Sequence, residues 1–221
     1  MLKNIFLRVG PMKILDKYKK YREVSRKLFS KIIETTLDPE LVMDSARLLG
    51  IVVRDQIVFD YETEMDILMD FALNEYKINN KNTIEIYKET KGWENEIEKE
   101  ILDAFLYSSY TSLFQITAIL KEENSLILTD LLNHKDNIKI IDIAFSHTAY
   151  EGLLLFFRLV SFKDLNMTSG IAFLFPEGTE EYLIRRYKKL SKNILSDSES
   201  MKRYISFFKL YKTDGIRVDY I

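Results

Sequence analysis

The chain contains no cysteine in 221 residues. That absence excludes a disulfide framework, thiolate-bound zinc or iron–sulfur centres and any Cys nucleophile, and it fits a reducing compartment. Histidine is nearly as scarce, and two residues cannot supply a histidine-rich metal site. Glycine (7) and proline (3) are too sparse for long flexible linkers. No G-x-x-x-x-G-K-[ST] or G-x-G-x-x-G phosphate loop occurs, and no G-x-S-x-G nucleophile turn. The longest clean apolar run, Leu153 to Phe157, is far below the ~20 residues that span a bilayer. The N-terminal MLKNIFLRVGPMK breaks its apolar stretch with Lys3, Asn4 and Arg8, unlike a secretory signal. Together these absences predict a cytoplasmic protein with no membrane partner, no metal and no cofactor.

What is present can build a core. The composition is 47% hydrophobic, and fourteen Phe and thirteen Tyr supply much of the volume. The net charge of -2 hides an uneven distribution. Residues 12–33 carry eight basic against two acidic side chains, 55–103 fourteen acids against five lysines, and 182–212 nine basic against two acidic. Basic ends around an acidic middle suit either a nucleic-acid surface or helix faces that neutralise one another in the fold.

The hydrophobic period is helical at first. Ile14, Tyr18, Tyr21, Leu28 and Ile32 form one stripe. LDPELVMDSARLLG then supplies Asp38 as N-cap, Pro39 at the first helical position and Gly50 as terminator. Ile51 to Phe59 suits a short strand or an extended connector. Asp60 is expected to cap the next helix, with Met65, Leu68, Met69, Ala72, Leu73 and Tyr76 inward; Thr83 is expected to cap another, and a longer helix follows from about Trp93 to Leu106. From Ser108 the period falls to near 2. Five short segments follow: Ser112–Lys121, Ser125–Thr129, Asn137–Ile143, Leu153–Lys163 and Asn166–Phe175. After Pro176 the helical period returns, with Thr179 as a candidate cap, and the tail GIRVDYI alternates like an edge strand. The predicted class is α+β, with helices flanking a small, roughly five-stranded antiparallel sheet or barrel. Residues 1–110 form its helical N-terminal region, 111–176 the β unit and 177–221 the C-terminal helices, expected to pack as one integrated unit.

The β segment resembles a family of uncharacterised microbial proteins in which a helical N-terminal half precedes a small five-stranded β domain. The matching stretches are SSYTSLFQI (Ser108 to Ile116), LILTDLL (Leu126 to Leu132), LLLFFRLV (Leu153 to Val160) and SGIAFLFP (Ser169 to Pro176). The family pattern runs Ser-Leu-Phe-Glu-Val, Asp-Leu-Leu, Arg-Leu and Phe-Leu-Phe-Pro, with Gln115 here in place of Glu. Some members carry an appended cysteine-rich metal motif, which has no counterpart in a chain without Cys. The resemblance implies the fold and assigns no activity.

Four constellations carry candidate chemistry. Asp60, Glu62, Glu64, Asp66 and Asp70 resemble a hard-cation cluster, yet Glu62, Asp66 and Asp70 share one helical stripe, as on a solvated face, and no calcium-loop spacing is present. Asp142, His147 and Tyr150 could serve acid–base chemistry if the strands bring them together; the competing reading is a surface turn. Arg158 interrupts LLLFFRLV, so it must reach the edge or pair with an acid, Asp130 and Asp142 being the nearest in the motif; functionally it would bind an anion. The basic helices, through Lys17, Lys20, Arg185, Arg186 and Lys189, could contact phosphates without reading sequence. The β unit itself has five basic residues against seven acids, the wrong sign for a nucleic-acid funnel. The expected function is therefore a non-catalytic cytoplasmic binding or adaptor protein with a protein or small-molecule partner. Weak nucleic-acid binding is the alternative, and a hydrolase centred on His147 the third reading.

Overall fold

The amphipathic stripe that opens the chain forms α1 (Ile14–Thr36), which buries Tyr18, Tyr21, Leu28 and Ile32. The structure, a computed structural model, describes residues 13–216. The reading of Met1 to Met12 as free of a signal lies outside the described residues. So does most of the expected edge strand in the tail, of which Ile216 forms one antiparallel bridge with Leu174.

The local signals around α2 (Pro39–Leu49) act as the sequence indicates. The Asp38 carboxylate accepts the Glu40 N–H at 2.8 Å, and Gly50 ends the helix at φ 79°, where only a residue without a Cβ sits unstrained. Ile51 to Phe59 becomes a tight hairpin of β1 (Val52–Val53) and β2 (Gln56–Ile57). Arg54 and Asp55 at its turn both have positive φ, the twist a two-residue hairpin requires.

Three helices follow: α3 (Thr63–Asn74), α4 (Thr83–Thr90) and α5 (Glu96–Tyr107). Here two expected caps are corrected. Residue 62, not Asp60, immediately precedes α3 and makes no side-chain cap bond. Asn82 caps α4 by accepting the Glu85 N–H, while the Thr83 hydroxyl donates to the Ala72 carbonyl at 3.2 Å. The buried face of α3 is also rotated from the expected one. Ile67, Leu68, Phe71 and Ala72 point inward and Met65 is 44% exposed, because the ring of Phe71 packs on Tyr204 at 5.4 Å.

The switch to period 2 gives a five-stranded antiparallel sheet: β3 (Ser109–Leu120), β4 (Ser125–Asp130), β5 (Lys135–Ile141), β6 (Leu154–Ser161) and β7 (Asn166–Phe175), in the order β5-β4-β3-β6-β7. The fold is α+β. Edge strands β5 and β7 approach each other, and the Asn166 amide donates to the Lys139 carbonyl at 2.9 Å. No backbone ladder joins them among the described residues, so the sheet is strongly curved without closing. The turn after β5 contains a short helix that the sequence reading missed, α6 (Ile143–Thr148), capped by Asp142 through the Phe145 N–H at 3.0 Å.

Strand β6 is buried on both faces, which explains the unbroken apolar run LLLFF. Leu155, Phe157 and Leu159 face the hollow of the sheet with Phe114, Ile116, Leu126 and Leu128. Leu154 and Phe156 face the opposite way, with Phe173 and Phe175, onto α2, α3 and two C-terminal helices, α7 (Glu180–Ser191) and α8 (Glu199–Asp214). Phe156 stacks on Phe207 of α8 with ring centres 4.3 Å apart. Helices α1, α4 and α5 form a further core that reaches the sheet through Val160 and Met167. Ser198 caps α8, whereas Thr179 makes no cap bond to α7 and donates instead to the Pro176 carbonyl.

Candidate functional site

A cleft of about 640 Å³ opens where the first turn of α1 meets the ends of β5 and the β6–β7 hairpin. Its apolar lining comes from Leu15, Ile141, Phe162 and Leu165, and its polar rim includes Lys13, Lys163, Glu122 and Asn124. The hairpin is held in place by a turn bond from Phe162 N–H to the Leu165 carbonyl at 2.8 Å and by stacking of Phe162 on Tyr21 at 4.4 Å. Lys17 ties α1 to the same hairpin through Asp164 at 2.7 Å; this bond raises the lysine pKa and lowers that of the carboxyl. Lys139 is paired with Glu123. Lys13, Lys163 and Glu122, by contrast, have no ion-pair partner among the described residues. Burial, reinforced by Glu100, pushes the Tyr21 hydroxyl beneath this region up to about 12.

Among the described residues no hydrogen bond or ion pair joins Asp142, His147 and Tyr150 to one another. The Asp142 carboxylate faces the Phe145 N–H, Thr168 at 3.5 Å and Arg22 at 3.7 Å. His147 lies on the surface with its Nε2 3.2 Å from the Asn124 side-chain oxygen, at the border of the cleft. Tyr150 is exposed, and the neighbouring Ser146 hydroxyl donates into the helix backbone at Ile143.

Arg158 is 5% exposed and lies on the helix-facing side of β6, opposite Thr111 of β3. Its partners are neither Asp130 nor Asp142. The guanidinium binds Glu75 at 2.5 Å and faces Asp70 at 3.8 Å, both supplied by α3 and the residue that follows it. Ser200 of α8 donates to the same Glu75 oxygen at 3.0 Å. Glu75 holds the closer contact, and burial pushes the Asp70 carboxyl above the usual carboxylate range. Asp70 therefore leaves the solvated stripe to which the sequence assigned it. Both carboxylates lie at the same guanidinium nitrogen, Nη2, and the buried Nε has no hydrogen-bond partner among the described residues.

Asp130 has its own buried role. It is fully buried and accepts the Ser112 hydroxyl, the backbone N–H groups of Leu132 and Asn133 at 3.1 and 3.0 Å, and the Asn133 amide at 2.8 Å. Ser112 and Asp130, the polar members of the Ser-Leu-Phe and Asp-Leu-Leu stretches, thus lock β3 to the β4–β5 turn. Burial and the adjacent Asp130 charge raise the Tyr110 hydroxyl well above its ordinary value.

The acid cluster of α3 also separates. Glu64 is buried, accepting the Asp60 N–H at 3.1 Å and facing Lys212 at 3.1 Å, while Glu62 and Asp66 remain exposed. Among the described residues no three His, Asp or Glu side chains are placed to hold a metal ion, and no helix is long and apolar enough to cross a membrane.

The two basic helices differ. On α1, Lys17 binds Asp164, Lys20 and Lys27 face Glu23, Lys31 binds Glu94 and Arg22 faces Asp142. On α7, Arg185, Arg186, Lys188 and Lys189 are exposed, and none has an ion-pair partner among the described residues. Sequence reasoning missed Glu75, because nothing local links it to an arginine 83 residues away. Asp70 carried one usable signal: it lies three residues after Ile67 and next to Phe71, at the edge of the true inward stripe.

A family described as "Family of unknown function (DUF7986)" matches residues 12–221. No curated protein and no solved structure matches the chain.

Proposed function

The chain belongs to this family of unknown function, and we propose that it is a non-catalytic binding protein whose ligand site is the cleft between α1 and the β6–β7 hairpin. The observation that carries this reading is the cleft itself: about 640 Å³, with apolar side chains below and unpaired ammonium groups on the rim. Its size and mixed lining are those of small-molecule sites. Lys13 and Lys163 favour a ligand with an apolar body and a negative group. The different hydrogen-bond partners of Asp142 and His147, and the engagement of Ser146 by its own helix, support binding over hydrolysis.

The test uses 1-anilinonaphthalene-8-sulfonate, an anionic aromatic probe, titrated into the folded protein and into Lys163→Glu. One saturable site is expected, weakened roughly fivefold by the charge reversal, the equivalent of about 1 kcal/mol for an exposed ion pair. Non-saturating fluorescence, or equal affinity in the variant, overturns the assignment. Native mass spectrometry of gently purified protein supplies the complementary readout, a bound mass that Lys163→Glu no longer retains.

A further inference from the structure

The cations in the later turns of α7, which follow Glu180 and Glu181 of its first turn, form no ion pair among the described residues. Between Glu181 and Asp197 the chain carries Arg185, Arg186, Lys188, Lys189 and Lys192, and no acid. All five are exposed, and none lies within ion-pair distance of a carboxylate among the described residues. Arg185, Lys188, Lys189 and Lys192 recur at i, i+3, i+4 and i+7, a line about 10 Å long at ~1.5 Å rise per residue. Cations in a last turn are favoured by the helix dipole, which accounts for Lys188 and Lys189. It does not account for Arg185 and Arg186, a turn earlier.

We propose that this face of α7 binds the phosphate backbone of nucleic acid, without reading sequence. Charge complementarity is the argument. The apolar side of α7, through Leu183, Ile184, Tyr187, Leu190 and Ile194, is packed into the core, so the helix has no free apolar face to insert into a membrane surface. Its exposed large apolar side chains are Tyr182 at the start of the helix and Leu195 just beyond its end, too far apart to form the apolar centre around which protein interfaces are built. Between these two lie five exposed cations, two of them guanidinium forks that match phosphate geometry. Such a row suits a polymer with one negative charge per repeat. Helix α1, whose charges are largely occupied, is not part of the surface, which narrows the two basic helices to one. The surface also shares no residue with the cleft, so the two proposals fail independently.

The experiment is fluorescence anisotropy with a labelled 20-nucleotide oligo-dT strand and a 20-base-pair duplex at 50 and 200 mM KCl. Wild type is expected to bind at least one of them at 50 mM. Engaging about four phosphates of a single strand makes binding roughly 50-fold weaker over that fourfold salt increase. Arg185→Gln/Arg186→Gln/Lys189→Gln/Lys192→Gln alters only exposed, unpaired groups and should weaken binding at least about tenfold, with unchanged circular dichroism. The control Lys19→Gln/Arg26→Gln on α1 should bind as wild type. No binding to either nucleic acid at 50 mM, or wild-type affinity in the α7 variant, overturns the proposal. Binding to phosphatidylserine vesicles or poly-L-glutamate with no binding to nucleic acid also overturns it.

Discussion

Replacing Arg158 with Met should be the most damaging single change in the sheet. The guanidinium is buried and holds Glu75 at 2.5 Å and Asp70 at 3.8 Å. Methionine fills a comparable volume, so packing changes little, but two largely buried carboxylates are left beside each other without their cation. Removing one partner of a buried ion pair typically costs about 3–5 kcal/mol. At ~2–4 °C per kcal/mol for a domain of this size, the melting temperature should fall by roughly 10 °C. The loss should depend on pH. Burial already raises the Asp70 carboxyl and Arg158 opposes that rise, so without Arg158 its folded pKa moves further above the unfolded one. Stability held by such groups is fully present below the unfolded carboxylate pKa and is lost as pH rises through the raised folded values. Urea unfolding followed by circular dichroism at pH 5.0 and 7.5 should therefore show the larger deficit at 7.5. Adding Glu75→Gln should recover part of it, since one charge is gone and the amide oxygen can still accept the Ser200 hydroxyl. A deficit below about 1 kcal/mol, or one equal at both pH values, would mean that the carboxylates are not desolvated as described.

Two further outcomes follow from the local geometry. Asp130→Ala strands the buried Ser112 hydroxyl and removes the acceptor of two partly buried backbone N–H groups, and should cost about 2 kcal/mol by thermal or urea unfolding; a loss under ~1 kcal/mol would show that water replaces the carboxylate. Gly50→Ala places a Cβ in open space but at φ 79°, so backbone strain alone should lower stability by about 1 kcal/mol, and an unchanged melting temperature would contradict that conformation.

Local rules written in adjacent residues decided much of this protein. Asp38, Pro39 and Gly50 bound α2 from within a dozen residues, and the alternating segments locate all five strands of the sheet, β7 to the residue. Such signals survive because capping and pleating depend on neighbours in sequence. The tertiary structure decided everything that depends on what packs where. Phe71 points inward because Tyr204, 133 positions later, offers it a ring, and that contact turned α3 away from the face its own pattern suggested. The same rotation carried Asp70 from an apparent solvated stripe to Arg158, and placed Glu75 beside a guanidinium that Asp130 and Asp142, nearer in sequence, do not reach. Helix α6 stayed hidden because six residues are too few to show a period. The cleft is made by segments more than a hundred residues apart, and the contrast between an occupied α1 and a bare α7 depends on where distant acids fall. Charge and polarity can be read along a chain, but burial and pairing arise only when distant segments share one interior.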